Sequence, residues 1–381
     1  VNERNSIAGN SVFPQELTQL QKDSFTVWMR RISVPNKLYA DPDSTLKGKI
    51  TELLCTNRSR ADGRPGVLHV SQTDLKHFYP CRRAWIFSQV LRLRDDTLDT
   101  SLMEQYDAGS IHHKMLELFM ESYKDAGKVL PAVTEDGTLE NEADIRNVLT
   151  ECAGEAFRAP DGQFTGCPLV LTVLDSQKER FADTIVSFLR TFCKMFGGYA
   201  VTAVEQWMSG SYSDGNEVAL TGRIDCILSD ENGGVTIVDY KNTSAAAPSS
   251  AECIADENGM LGDFQIPLYV TLWNMNHPDG PSAVENALFC TINDRKNRFI
   301  IKNDNSGRSG ALTLDEYAYT LSCFNEYIRD FTDSVRSYRL GIDSDHVDAY
   351  RDCVKCRFKS ICRTAYISSG VHIPKPQGAL S

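Results

Sequence analysis

Residues 235–241, Val-Thr-Ile-Val-Asp-Tyr-Lys, constrain the fold more than any other stretch of the chain. β-Branched residues dominate the run, so it reads as a strand. Ile237 and Val238 are adjacent and apolar, which makes both faces of that strand apolar and puts it in the middle of a covered sheet. Side-chain alternation then sends Asp239 and Lys241 to one face at the strand's end. Asp230-Glu-Asn-Gly-Gly234 reads as a hairpin turn back to a strand at 217–228, and 201–212 reads as a third strand. Asp225 lies on the partner strand, within reach of Asp239. Two carboxylates beside an ammonium on one sheet face suit a hard divalent cation, Mg²⁺ or Mn²⁺. The lysine can orient or deprotonate a water and offset phosphate charge.

Helical periodicity surrounds these strands. Ser71 with Asp74 three residues on is a helix start, carrying Leu75, Phe78 and Tyr79. Helices are expected at 108–123, 140–158 and 176–196. The last has Phe181, Ile185, Phe188, Leu189, Phe192 and Phe196 as its buried stripe and Gly197-Gly198 as its stop. A helix at 264–275 is followed by a hairpin at 286–302 and a long helix at 313–340 that buries Tyr317, Leu321, Phe324, Ile328, Phe331 and Val335. The tail, 342–381, is expected to be irregular. The fold class is therefore α/β (α+β), a central mixed sheet flanked by helices. A polar Gly/Pro-containing linker at 57–66 separates a helical lead-in, and the organisation expected is 1–69 lead-in, 70–365 main domain and 366–381 tail.

Composition narrows the function. The net charge of −11 excludes a uniformly basic nucleic-acid coat but leaves room for a local basic groove. No apolar run approaches the roughly 18 residues of a membrane span. The first thirty residues hold no apolar core of a signal peptide, so a cytoplasmic location is expected. The chain opens on Val, which fits a piece of a longer polypeptide. The 12 cysteines are too sparse for a disulfide scaffold and, without a secretory signal, are expected as reduced thiols or metal ligands. Cys353-Val-Lys-Cys356-Arg-Phe-Lys-Ser-Ile-Cys362 reads as a metal or cluster site needing a fourth ligand. Cys81 is the leading candidate, with His346 the nearest histidine. Arg82 and Arg83 beside Cys81, with Lys355, Arg357, Lys359 and Arg363 around the triplet, would form a phosphate track or a solvated charged surface. No G-x-x-x-x-G-K-[ST] motif is present, so ATP hydrolysis by that route is excluded.

Asp225 in Gly222-Arg-Ile-Asp225, then Asp239-Tyr-Lys241 and Gln265-Ile-Pro-Leu-Tyr269, resemble the G-x-x-D, D-x-K and Q-x-x-x-Y motifs of PD-(D/E)XK nucleases of the RecB and AddB type. Gly109-Ser-Ile-His112-His113 is similar to that family's helical motif, whose spacing selects His113. One cysteine before the core and three after it resemble the AddB-type and related CRISPR-associated nucleases. The resemblance spans about residues 70–365. It implies a restriction-endonuclease-like core with His113, Asp225, Asp239 and the Tyr240 backbone carbonyl around Mg²⁺ or Mn²⁺. Lys241 would be catalytic, and Gln265 and Tyr269 would contact the substrate or support the metal ligands from behind, Tyr269 stacking on a base or orienting the Asp239–Lys241 strand; Arg82 and Arg83 are placed on the substrate side by their basic patch, not by the resemblance. Glu205 is given only a weak supporting role. Cys81, Cys353, Cys356 and Cys362 would hold a [4Fe–4S] cluster as a structural staple, with Zn²⁺ as the alternative. The implied activity is hydrolysis of DNA phosphodiesters, by an exonuclease acting on single-stranded ends in repair or recombination, with a helicase partner or upstream helicase-like region. The competing class is a non-catalytic DNA-binding scaffold with an Fe–S or Zn staple.

Overall fold

The computed structural model describes residues 67–93, 105–158, 168–213, 217–278, 284–303, 310–340 and 352–362. The expected lead-in helices at 17–54, Arg363 and His346 lie outside the described residues. The chain divides into two compact units, Val1–Thr97 with Tyr327–Ser381, and Leu98–Glu326.

The first unit opens with β1 (Leu68–Val70) and α1 (Gln72–Phe78). Ser71 caps α1 as its spacing predicts. The Asp74 N–H donates to Ser71 Oγ at 3.3 Å, and the Ser71 N–H donates to Asp74 Oδ2 at 3.0 Å. Phe78, Trp85 and Phe331 form an edge-to-face trio, and the Trp85 indole N–H donates to Asp74 Oδ1 at 3.0 Å. A helical turn at Arg82–Trp85 runs into a π-helical turn at Ile86–Val90. The part of the tail that is described, expected to be irregular, holds two short helices, Asp352–Lys355 and Lys359–Cys362.

The second unit runs α2 (Gln105–Asp125), α3 (Glu142–Ala156), α4 (Pro168–Asp175) and α5 (Lys178–Phe196). Then come β2 (Ala200–Ser213), β3 (Glu217–Ser229), β4 (Val235–Lys241), α6 (Gln265–Asn276), β5 (Val284–Thr291) and β6 (Lys296–Lys302). A last helix, α7 (Leu314–Arg336), begins in this unit and ends in the other. Helix α4 grows from the apolar run Pro168-Leu-Val-Leu-Thr-Val-Leu174.

Strand β4 pairs antiparallel with β3 and parallel with β5, and β3 and β5 pair antiparallel with β2 and β6. The sheet is therefore mixed, with β4 central and buried along six of its seven residues. All six stripe residues of α5 are buried, and they share one core with Val201, Val204, Cys226, Leu228, Val238, Tyr240, Leu288 and Cys290 of the sheet. Each such side chain contributes on the order of 1.5–3 kcal/mol of transfer free energy. Tyr240 belongs to this packed set, so the alternate residues of β4, Asp239 and Lys241, turn away from it. That alternation delivers the charged pair to the end of a buried strand. In α7, Leu321 is only half-buried, whereas Tyr317, Phe324, Ile328, Phe331 and Val335 are buried as expected.

Candidate functional site

Asp239 is almost completely buried, and its Oδ2 lies 2.6 Å from Lys241 Nζ. Lys241 Nζ also donates to Gln265 Oε1 at 3.1 Å, and Gln265 Nε2 donates to Asp239 Oδ1. Gln265 thus holds both charged partners with one amide, at the first turn of α6. Its Nε2 also donates to the Tyr269 hydroxyl at 2.9 Å, which in turn donates to the Arg223 carbonyl at 2.6 Å. The i, i+4 spacing on α6 makes this relay possible. Both residues are buried, Tyr269 with its hydroxyl directed into the protein. Of the two roles expected for Tyr269, stacking on a base or orienting the Asp239–Lys241 strand, these hydrogen bonds serve the second, and the Gln265 amide is engaged with Asp239 and Lys241. Gly222 lets α6 come this close, since a Cβ there would meet Leu272 Cδ1 at 3.0 Å and Tyr269 Cε1 at 3.4 Å.

The second half of the site gathers around Asp225. Its Oδ2 accepts the Tyr240 N–H at 2.8 Å and stands 3.7 Å from His113 Nδ1. The Tyr240 carbonyl accepts a hydrogen bond from His113. His112 points elsewhere: it is buried, packs on Phe181 and meets Asn242 Oδ1 at 3.0 Å. Of the two adjacent histidines, His113 is the one in the site.

Glu205 completes the set. One ligand atom each from His113, Glu205 and Asp225 lie within 4.8 Å of one another, the only such group among the described residues. Asp239 is not a member of that tight group, though its carboxylate adjoins it electrostatically. Glu205 sits mid-strand in β2 with φ +46°, a left-handed conformation that costs on the order of 1 kcal/mol or more for a non-glycine residue. Its Oε2 pairs with Arg223 Nε at 2.7 Å. Glu205, expected in a supporting role, lies in this group, and nothing in its local sequence marks a strand residue for this backbone conformation.

Burial dominates the electrostatics. Asp239 titrates at about 7, raised by burial, with Lys241 opposing and Asp225 adding to the rise. Glu205 also titrates at about 7, raised by burial and then by the Asp225 charge. Burial raises Asp225 too, against the pull of Lys241. Burial lowers His113 despite Asp239, so the imidazole is neutral and free to ligate. Burial pulls Lys241 down, but Asp239 outweighs it and the ammonium is held above its ordinary value. Three carboxylates that resist joint ionisation, with a neutral imidazole, form a site that a divalent cation would relieve.

The four singled-out cysteines all belong to the first unit and are half-buried. Cys81 lies close enough to Cys362 and Cys356 for their charges to raise its thiol pKa, after the larger effect of burial. Arg83 is buried and its Nη1 donates to Cys362 Sγ at 3.4 Å. Arg82 stacks over Phe78, donates to the Arg339 carbonyl at 3.2 Å and faces Asp330 at 3.8 Å. Both arginines thus make contacts within the first unit. Lys355, Arg357 and Lys359 remain exposed beside the thiols.

A family model described as the PD-(D/E)XK nuclease superfamily matches residues 69–363. No curated protein matches the chain. A solved structure described as "Crystal structure of SSO0001" aligns at 13% identity over 66% of this chain and 96% of its own, with a TM-score of 0.24.

Proposed function

The chain belongs to the PD-(D/E)XK nuclease superfamily, and from that premise we propose that it is a Mg²⁺- or Mn²⁺-dependent nuclease hydrolysing DNA phosphodiesters. The observation that carries this reading is the grouping of His113, Glu205 and Asp225 within 4.8 Å beside the buried Asp239–Lys241 pair. The donor set fits a hard cation: carboxylate oxygens, one neutral imidazole and the neighbouring Tyr240 carbonyl. Asp239 Oδ2 and Glu205 Oε2 are buried, each in an ion pair but without a hydrogen bond of regular geometry, so acceptor capacity is left for a metal. His113, Asp225, Asp239 and Glu205 would hold it. When bound, the cation supplies a water of lowered pKa and Lewis-acid stabilisation of the phosphate.

The chain's own groups do the rest. Lys241 keeps its proton, because Asp239 holds its pKa up, so it acts as a fixed positive charge that orients water and offsets phosphate charge. Gln265 fixes the Asp239 and Lys241 rotamers, and Tyr269, kept neutral by burial, anchors Gln265 to the β3 backbone. In-line attack of water on phosphorus, with cleavage of the bond to O3′, leaves a 5′-phosphate and a 3′-hydroxyl. The likeness to RecB and AddB types extends the proposal to exonucleolytic action on single-stranded ends, in repair or recombination beside a helicase.

Cys81, Cys353, Cys356 and Cys362 would hold a [4Fe–4S] cluster as a structural staple. The thiols are neighbours, and Arg83 adds a cationic donor at Cys362 Sγ, a favourable partner for thiolate charge. A single tetrahedral zinc would need sulfurs about 3.8 Å apart.

The test is cleavage of single-stranded and duplex DNA with Mg²⁺ or Mn²⁺, with and without EDTA, and Asp239→Ala as the control. Cleavage is expected to require the metal and to vanish in Asp239→Ala while DNA binding largely persists. Wild-type cleavage by Asp239→Ala would overturn the assignment.

A further inference from the structure

Trp207 is the most exposed large apolar side chain among the described residues, at 63%. It lies on β2 two residues beyond Glu205, and one side chain of β3, Arg223, reaches both. Its register partner on β3 is Arg223, whose guanidinium stands over the indole at 5.9 Å and whose Nε reaches Glu205 Oε2 at 2.7 Å. Arg223 is itself half exposed and lies two residues before Asp225. One exposed aromatic face and one exposed cation are thus carried on the same pair of strands as two of the grouped ligand side chains.

Leaving an indole this exposed gives up burial free energy. The chemistry fits one occupant. An aromatic face takes the π-face of a nucleobase, and an adjacent guanidinium takes its phosphate. Base faces inside a duplex are covered by their neighbours, so only an unstacked base can reach Trp207. We propose that Trp207 and Arg223 form a stacking platform for single-stranded DNA, which seats a base on the indole and hands the adjoining phosphate to the His113–Glu205–Asp225 group. This inference rests on the nuclease reading of that group and adds to it the residue that selects single strands.

The experiment measures binding of a single-stranded oligo(dT) and of a blunt duplex in EDTA, where hydrolysis does not interfere. Trp207→Ala and Trp207→Phe are compared with the wild type, each first shown by circular dichroism to be folded. Loss of one base stack is expected to weaken oligo(dT) binding about 10-fold or more in Trp207→Ala. Trp207→Phe should retain most of the affinity, and duplex binding should change little. In a Trp28→Phe background, quenching of tryptophan fluorescence by oligo(dT) should be present with Trp207 and lost in Trp207→Ala, because Trp85 and Trp273 are buried. Unchanged oligo(dT) affinity in Trp207→Ala, equal weakening on the duplex, or no oligo(dT) binding by the wild type would each overturn the platform. Weakened binding in Trp207→Ala from a protein that cleaves nothing would overturn the nuclease reading and leave the platform standing.

Discussion

Replacing Glu205 with Gln should change stability in opposite directions with and without metal. In the metal-free protein Glu205 titrates at about 7 rather than its ordinary 4.5, mainly through burial. A folded-state pKa above the unfolded one means that the fold binds this proton more tightly than the unfolded chain does. The resulting stability is fully present below about pH 4.5 and is lost as pH rises through about 7. The difference corresponds to about 3 kcal/mol. The uncharged amide of Glu205→Gln would carry no such cost, and the exposed Arg223 loses a partner worth about 1 kcal/mol or less. Metal-free Glu205→Gln should therefore be more stable than the wild type by roughly 2–3 kcal/mol at about pH 8.5 and nearly equal to it at about pH 4.5. Millimolar Mg²⁺ or Mn²⁺ should then raise the wild-type melting temperature more than the variant's, since one carboxylate donor is gone. Urea titrations and thermal melts at both pH values, in EDTA and with metal, measure all four quantities. A variant less stable than the wild type at about pH 8.5 in EDTA, or equal metal-induced shifts in the two proteins, would refute the reasoning.

His113→Ala should abolish metal-dependent cleavage with little loss of stability. His112→Ala should keep cleavage chemistry but destabilise the second unit by about 1–3 kcal/mol, because it removes a buried ring and the Asn242 contact. Equal effects on cleavage rate would mean that the wrong histidine is in the site. Gln265→Ala should lower metal affinity or cleavage by about 10- to 100-fold, as loss of a residue that orients ligands does, with the defect read by metal titration as well as rate; a metal affinity and rate equal to the wild type's would reject its positioning role. Anaerobically purified protein should be brown with four irons per chain, and Ala at any one of Cys81, Cys353, Cys356 or Cys362 should lose the colour and lower soluble yield. A colourless protein with one zinc per chain would replace the cluster with a structural ion.

The parts of the site that follow from local rules were legible in the residues. Strand alternation put Asp239 and Lys241 on one face, the Asp230–Gly234 turn joined their strand to that of Asp225, and the capping pair Ser71 and Asp74 opened α1 where its spacing said. The choice of His113 over His112 came from the spacing of the resembled motif; in the fold His113 stands beside Asp225 and His112 beside Asn242. Other features depended on long-range packing, which no window of sequence contains. Arg83 looked like a surface cation but is buried against Cys362, because the tail folds back within its unit. Motif spacing left Tyr269 either stacking on a base or orienting the Asp239–Lys241 strand, and it is the docking of the helix at Gly222 that turns it and Gln265 onto Arg223 and Asp239. Glu205 joins His113 and Asp225 only through a left-handed residue in mid-strand, a conformation that its local sequence disfavours and the surrounding sheet imposes. The sequence by itself determined which chemical groups are available and on which strands and helices they ride, since periodicity and turns are local physics. Only the tertiary structure decided which of those groups meet, because burial, pairing and the resulting pKa values arise from residues far apart along the chain.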